Sequence, residues 1–444
     1  MSSVGQRAYR MFAFGPQRRA VEGTSLPMFW RGGLTIADQA VASATTFLTG
    51  VLMGRVCSKE QFGFYMLGFS LLTFLMTLQS ALVSTPYTIY LPRVAAEGRP
   101  RFTGSALVHQ LALGAAVAVA VLAGGVCVGL SASGPEMAAM LYGLGAAISF
   151  LLLRDFIRQV CFAQLAVSRA LAFDAAVAVG QLAALSTLAL TGTLTAASAF
   201  LGLAAACALS ALGWYWFNRN AIDVDPRQAR ADFGRNWESG KWLFASGLVW
   251  SVSMNLYAWF IAAFHGAASA GTYAAALGVV TLINPLMLGI QNFAGPHIMH
   301  AFAEGGAHRL SRAVRGTALL YGGVLVLFSA AMLLFGDWLI AMVYGAKYGG
   351  NGLVVALLSL NLAFNALGFS FSRGLFALDG ASMDFKVNFV ALALMVLCGV
   401  WLARSYGPAG AALGQALANF AASIVRWMAF RTAVRRATPS GVAS

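Results

Sequence analysis

A carboxylate and an arginine share one face of the first strongly apolar segment of the chain. Positions 31, 35, 38, 42, 45 and 49 read Arg, Thr, Asp, Ala, Thr and Thr, a spacing that puts them on one side of a helix. An acid inside hydrocarbon is costly, so Asp38 indicates a site that faces protein or water. Either Asp38 faces a functional cavity, or it forms a structural pair with Arg31 or with another helix.

Three further arginines lie at the predicted cytoplasmic ends of apolar segments. They are Arg154, Arg158 and Arg373, and the first two are one helical turn apart on a common face. Because a guanidinium group stays charged and binds phosphate oxygens in pairs, these residues together with Arg31 would suit an anionic headgroup at the mouth of a cavity. The alternative is that each arginine only anchors its helix end at the membrane surface.

Polar and aromatic side chains interrupt three apolar segments in the second half of the chain. Such side chains suit the apolar face and the hydroxyl groups of a sugar, and amides at this depth could line a cavity. They equally suit an interfacial aromatic belt and hydrogen bonds between helices. The candidate glycan contacts are Trp250, Asn255, Tyr257, Asn284, Asn361 and Asn365.

The composition is typical of a polytopic membrane protein. Of 444 residues, 59% are hydrophobic and 10% charged, and the mean hydropathy is +0.74. The net charge is +14, but the basic residues lie between apolar segments and not in runs mixed with aromatics, so we predict no nucleic-acid partner. The sequence has no P-loop, GxSxG or HExxH motif, and its five cysteines lack metal-ligand spacing. We therefore predict no enzymatic activity, no metal site and no cofactor.

Twelve segments are long enough to cross a bilayer, which takes about 20 mostly apolar residues. They lie at about 32–54, 63–84, 105–130, 137–157, 170–190, 195–217, 242–264, 272–295, 314–336, 350–372, 386–404 and 408–430. Lysine and arginine alternate between the loops, with 25 on the side of the N-terminus and 4 on the other. Because positive charge collects on the cytoplasmic side, we predict that both termini are cytoplasmic.

The chain carries a weak internal repeat. Gly63-Phe-Tyr65 recurs as Gly271-Thr-Tyr273, and Ala96-Glu-Gly98 recurs as Ala303-Glu-Gly305. Because each half has an even number of spans, the repeat is parallel. We therefore predict an all-α polytopic membrane protein, with twelve transmembrane helices as two six-helix bundles around a central cavity. The predicted divisions are a basic cytoplasmic tail at 1–31, bundles at 32–217 and 242–430, a cytoplasmic linker at 218–241, and a cytoplasmic tail at 431–444.

Short motifs spread over nearly the whole chain resemble the multidrug/oligosaccharidyl-lipid/polysaccharide exporter (MOP) superfamily, and within it the polysaccharide-transporter, O-antigen flippase-like branch. These motifs are EQFGFY at 60–65, SAGTY at 269–273, YGAKY at 344–348, LFALDG at 375–380 and YGPAGAA at 406–412. The resemblance implies alternating access, and we then expect Asp38 to couple it, by binding a proton or a sodium ion or by exchanging partners with Arg31. It also implies that a polyprenyl-diphosphate-linked oligosaccharide crosses the bacterial inner membrane for assembly of surface polysaccharide or exopolysaccharide.

The resemblance also implies a cationic cavity, which maps most naturally to Arg31 and then to Arg154, Arg158 and Arg373. The implied partners are the lipid-linked oligosaccharide, membrane lipid, and a polysaccharide polymerase with its export machinery. The lipid II flippase branch usually has two further spans, which disfavours it here. Two alternatives stay open: a cation-coupled multidrug antiporter of the same superfamily that uses Asp38, and a non-transporting scaffold in a polysaccharide synthase complex.

Overall fold

The computed structural model describes residues 28–131, 134–378 and 380–437, so most of the predicted N-terminal tail and residues 438–444 lie outside the described residues. Within these ranges the chain is helical almost throughout and has no β-strand. The helices are α1 (Met28–Val56), α2 (Lys59–Gln79), α3 (Thr85–Tyr90), α4 (Arg99–Gly129), α5 (Pro135–Ala163), α6 (Val167–Leu190), α7 (Ala196–Asn218), α8 (Pro226–Val280), α9 (Asn284–Tyr344), α10 (Gly352–Ala377) and α11 (Ala381–Ala437).

Three long helices contain an internal break at glycine. Gly266 in α8 and Gly407 in α11 have φ of 79° and 58°, and Gly305 and Gly306 in α9 also leave the helical region. Glycine adopts positive φ without a steric penalty. By length and composition, the described residues contain nine candidate membrane-spanning segments. The breaks divide one of these into three helical segments and another into two, which gives the described residues twelve helical segments, the number of transmembrane helices that the sequence predicts.

The first compact unit comprises Met1–Cys57 and Phe64–Asn255. Its central helix is α5, on which Leu144, Ile148 and Leu152 are completely buried. This helix packs between α4 and α7 and also contacts α6. In a bilayer such association rests on close packing and polar contacts, because lipid is as apolar as the side chains themselves. Polar groups carried by α5 therefore lie at the centre of this unit.

The segment predicted as a cytoplasmic linker, 218–241, packs against the first unit. The carboxylate of Asp223 pairs with Arg101 on α4 at 3.0 Å. The ring Nε2 of His109, also on α4, lies 2.8 Å from the carbonyl oxygen of Ala229. One charge of this segment, Asp223, therefore pairs with α4, whereas Asp232 and Arg235 pair with each other within the segment.

The second helix contains an irregular turn. Ser80–Ser84 form a π-helical turn between α2 and α3, in which the backbone N–H of Thr85 donates to the carbonyl oxygen of Ser80. The side-chain amide of Gln79 donates to the hydroxyl of Ser84 at 2.9 Å, and both side chains are buried. A π turn contains about one more residue than a turn of α-helix, so the side chains of α3 are rotated about the helix axis relative to those of α2.

The second compact unit comprises Ser58–Gly63 and Leu256–Ser444, so the first residues of α2 pack with it. A Cβ atom at Gly63 would lie 1.9 Å from the carbonyl oxygen of Ala267, and one at Gly271 would lie 2.4 Å from the carbonyl oxygen of Lys59. Real side chains do not approach backbone this closely, so both positions require glycine. The glycines of the sequence repeat therefore mark a close crossing of two helices.

Two apolar clusters join α9 to α10 in the second unit, and one of them also includes the last part of α11. One is formed by Ile298, Leu310, Ala313, Val314, Leu375 and Phe430. The other is formed by Met287, Tyr321, Leu325, Ala363 and Ala366. The first cluster joins the residues around the glycine break of α9 to the C-terminal parts of α10 and α11, where the loop charges predict the cytoplasmic side, and the second joins α9 to the middle of α10.

Candidate functional site

The central helix of the first unit presents two arginines to carboxylates on two neighbouring helices. Nη2 of Arg158 donates to Oδ2 of Asp38 on α1 at 2.6 Å, and Nε of Arg158 lies 2.7 Å from Oδ2 of Asp174 on α6. Nη2 of Arg154 donates to Oδ1 of Asp174 at 2.7 Å. One guanidinium group therefore links α1 to α6. We call Asp38, Arg154, Arg158 and Asp174 the ion-pair network.

The two acids of the ion-pair network are fully buried, whereas its two arginines are partly exposed. The side chains of Asp38 and Asp174 are 0% exposed, and those of Arg154 and Arg158 are 26% and 19% exposed. The guanidinium group of Arg158 also lies over the ring of Phe162, 5.0 Å from its centroid. The exposed part of the network therefore consists of the arginine side chains.

The network holds two negative and two positive charges. A single unpaired ion in this environment would cost several kcal/mol, so the balance is what makes burial of the acids tolerable. Among the described residues, Oδ1 of Asp38 and Nε of Arg154 have no hydrogen-bond partner although both atoms are buried.

Asp174 is the member of the network that the sequence analysis did not assign to the site. It lies about two turns after the start of α6, and its signal is the same as that of Asp38, a carboxylate within an apolar segment. The sequence leaves open whether Asp38 pairs with Arg31 or with another helix. In the structure the observed partner of Asp38 is Arg158 on α5.

Two predicted site residues, Arg31 and Trp250, have side chains outside the described part of the structure. Nδ2 of Asn255 donates to the carbonyl oxygen of Ser251 in its own helix at 2.9 Å. In the second unit, the guanidinium group of Arg373 lies 4.8 Å and 5.8 Å from the ring centroids of Phe369 and Phe376. The roles proposed for these residues stay predictions.

The remaining predicted glycan contacts all lie in the second unit, and two of them join helices. The buried hydroxyl of Tyr257 donates to the carbonyl oxygen of Met395 on α11 at 2.9 Å. Oδ1 of Asn361 accepts a hydrogen bond from Nδ2 of Asn419 at 2.7 Å. The two exposed members of this set are Asn284 and Asn365. Of the four, these two amides are the ones open to a ligand.

A second buried charge cluster, which the sequence did not indicate, lies between the two halves of α11. Nε of Arg426 donates to Oδ1 of Asp384 at 3.0 Å, and its Nη2 donates to Oδ1 of Asn388. Nδ2 of Asn388 donates to Oδ2 of Asp384 at 3.1 Å. Asn388 and Asp384 precede Arg426 by 38 and 42 positions, so α11 folds back on itself at Gly407. The polar groups of this cluster bind one another, and the cluster therefore holds the two halves of α11 together.

No protein-family model matches the chain, and no curated protein sequence matches it. Among solved structures, the chain is similar to the inward-facing conformation of a multidrug resistance MATE family transporter of the MOP superfamily. The TM-score is 0.72 with 14% identity, over 90% of this chain and 98% of that one. The outward-facing conformation of such a transporter gives 0.59 with 14% identity, over 98% and 99%.

A MOP superfamily transporter from Pyrococcus furiosus is also similar, with a TM-score of 0.60 and 14% identity over 98% of this chain and 99% of that one. Its binding pocket is described as having reverse polarity, which suggests a different function for that protein. At this level of identity the likeness concerns the fold. The chain has the all-α fold of MOP superfamily transporters, with two six-helix bundles, and these neighbours are transporters and not enzymes.

Proposed function

We propose that this protein is an ion-coupled flippase that moves a polyprenyl-diphosphate-linked oligosaccharide across the inner membrane of a bacterium. The observation that carries the proposal is the difference in exposure within the ion-pair network. Its carboxylates are fully buried, whereas its arginines are partly exposed. A diphosphate matches the exposed guanidinium groups in charge and in hydrogen-bond geometry. An organic cation would meet the same positive groups and be repelled.

The network also supplies a means of coupling. While Asp38 is ionised, Arg158 is shared between Asp38 and Asp174 and has little capacity for a further anion. When a proton or a sodium ion neutralises Asp38, one carboxylate no longer competes, and the phosphate oxygens of the substrate take its place. Binding of the ion and binding of the substrate are then linked through one guanidinium group, as coupling between two sites requires.

The oligosaccharide part of the substrate needs hydroxyl-binding groups elsewhere. In this proposal the exposed amides Asn284 and Asn365 contact the glycan, and Arg373 provides a further cation. Arg31 and Trp250 keep the roles predicted from the sequence. Both termini are cytoplasmic, and a polysaccharide polymerase with its export machinery takes up the translocated glycan.

The second candidate is a cation-coupled multidrug antiporter. It is favoured by the neighbours described as multidrug resistance MATE family transporters and by the presence of two buried acids on α1 and α6. In that mechanism Asp38 or Asp174 would bind an organic cation or its counter-ion, and Arg158 would first have to leave both carboxylates. The two functions therefore differ in which charges the substrate contacts.

The proposal is tested by the sidedness of lipid-linked glycan in cells that lack the protein, measured with a glycan-modifying probe confined to the periplasm. We expect the intermediate to accumulate out of reach of the probe. Full access should return with the wild-type chain and with the control variant Arg227→Ala, whose side chain is exposed at the start of α8. Arg158→Ala at the same protein level should restore little access.

Normal access of the probe in cells without the protein would overturn the flippase proposal. Resistance to organic cations is measured in the same strains. A loss of resistance on deletion and on Asp38→Asn, with lipid-linked glycan unaffected, would assign the antiporter function instead.

A further inference from the structure

A basic cleft of about 550 Å³ lies entirely within the second unit, where the part of α9 that follows its break at Gly306 meets the C-terminal ends of α10 and α11. Its floor is apolar and includes the buried side chains of Val314 and Phe430. Three exposed arginines stand around it, Arg315 on α9 and Arg431 and Arg435 on α11. No carboxylate is among the residues that line it. The cleft therefore has three positive charges and no internal counter-charge.

In the part of the chain that the structure describes, Arg315, Arg431 and Arg435 are not ion-pair partners. Within the described part of the chain, none of them lies within 4.0 Å of a carboxylate oxygen. The guanidinium group of Arg431 lies over the ring of Trp427, 4.7 Å from its centroid. Like charges gathered around one cavity repel one another, and the repulsion is relieved when an anion binds between them.

The polarity of the cleft changes along the helices. Leu319 lies one turn after Arg315 on α9, and Trp427 lies one turn before Arg431 on α11. The part of α9 after Gly306 runs into the predicted membrane, and the part of α11 after Gly407 runs out of it, so both apolar residues lie on the membrane side of the arginines. Leu319 is 70% exposed and Trp427 is 41% exposed. The cleft thus joins a positive end at the predicted cytoplasmic surface to an apolar strip at the depth of the hydrocarbon.

We propose that this cleft binds an anionic phospholipid of the cytoplasmic leaflet. The headgroup phosphate contacts Arg315, Arg431 and Arg435, and the acyl chains lie along Leu319 and Trp427. Basic pockets at the cytoplasmic ends of membrane helices are suited to such headgroups, because this leaflet carries the anionic lipids. A soluble anion would use the arginines but not the apolar strip. This site is independent of the substrate that the protein transports.

The test uses the purified full chain and native mass spectrometry of bound lipid, with phosphatidylglycerol and phosphatidylcholine as the probes. Arg315→Gln/Arg431→Gln/Arg435→Gln removes the three charges of the cleft. The matched control Arg227→Gln/Arg230→Gln/Arg436→Gln removes three exposed arginines that do not line it. We expect phosphatidylglycerol binding to fall about tenfold or more in the cleft variant and to stay near wild type in the control. Phosphatidylcholine binding should be equal in all three proteins.

Equal phosphatidylglycerol binding by the cleft variant and the wild type would overturn the proposal, and so would an equal loss in the control. Competition by inorganic phosphate at millimolar concentration would show a soluble-anion site, and displacement by polyprenyl diphosphate at lower concentration than by phosphatidylglycerol would show a substrate site. Either result also overturns it. If the triple variant does not fold, Arg315→Gln and Arg435→Gln are measured singly, each with an expected loss of about a few-fold.

Discussion

Arg158 is the residue on which the ion-pair network of the first unit depends, since it is the observed partner of Asp38 and one of two partners of Asp174. Replacing Arg158 with alanine leaves a buried carboxylate on α1 without its cation. We expect this variant to be strongly destabilised. We also expect that adding Asp38→Asn, which removes the unpaired charge, will recover part of the loss.

The magnitude follows from the geometry. The two side chains meet at 2.6 Å, with Asp38 fully buried, and removal of one partner from a buried pair costs about 3–5 kcal/mol of unfolding free energy. Asp38→Asn alone leaves Arg158 with Asp174, so its cost should be that of one charge-assisted hydrogen bond, about 1.5–3 kcal/mol. The double variant loses the pair only once. If the double variant is less destabilised than Arg158→Ala, the interaction energy of the cycle exceeds the cost of Asp38→Asn alone, so it should be at least about 1.5–3 kcal/mol.

The assay is reversible unfolding of the purified protein in mixed micelles, applied to the wild type, the two single variants and the double variant. A control cycle uses Arg101 and Asp223, which pair at 3.0 Å with side chains 63% and 56% exposed. Solvent screens that pair, so its interaction energy should lie between zero and about 1 kcal/mol. The contrast between the two cycles separates a buried pair from an exposed one.

Additive effects in the Asp38–Arg158 cycle, with an interaction energy below about 0.5 kcal/mol, would refute the reasoning. They would mean that the two side chains do not depend on each other in the folded protein. The coupling mechanism in the proposed function would then lose its physical basis, even if Arg158→Ala abolished transport.

Two further predictions concern helix packing in the second unit. Gly63→Ala should sharply reduce the yield of monodisperse protein in size-exclusion chromatography, because its Cβ would lie 1.9 Å from the backbone oxygen of Ala267. The control Gly124→Ala, whose Cβ meets no atom within 4 Å, should keep a normal yield. A normal yield of Gly63→Ala would contradict the close crossing. Tyr257→Phe should lower the unfolding free energy by about 1 kcal/mol through loss of the hydrogen bond to Met395. Unfolding in mixed micelles checks this value, and an unchanged stability would show that the bond is not formed.

The number of passes could be predicted from the sequence because the thickness of the hydrocarbon layer fixes the length of a spanning segment. The manner in which they are joined could not. Gly266 and Gly407 each end one pass and begin the next within a single residue, where the sequence suggested a separate loop. Any residue type can occupy a loop, so the sequence does not show directly that a single residue with positive φ is enough to connect two passes.

The site could be predicted only in part. The position of Asp38 and the common face of Arg154 and Arg158 follow from helical spacing, and the structure brings these three side chains into one network. Their pairing depends on which helices are neighbours. Membrane helices are apolar around most of their circumference, so the sequence period does not show which face meets α5. For the same reason Asp174 was not joined to the site.

Arg426 illustrates the same limit in the second unit. It is one of the basic residues near the end of the last span, and it contributed to the predicted orientation of that span. Nothing near it in sequence indicates a partner, because Asp384 lies 42 positions earlier. The pair is visible only when the fold brings the beginning and the end of α11 together.

The π-helical turn at Ser80–Ser84 bears on how the length of this chain can vary. A π turn is what remains when one residue has been inserted into a continuous helix, with the surplus held in a single widened turn. Deletion of one residue between Ser80 and Ser84 would let the turn close to an ordinary α-helix, without shifting the register of the helix on either side of it. The same deletion in the middle of α5 would rotate every later residue by about 100° and separate Arg158 from both of its acids. Length changes among homologous chains should therefore collect at this turn.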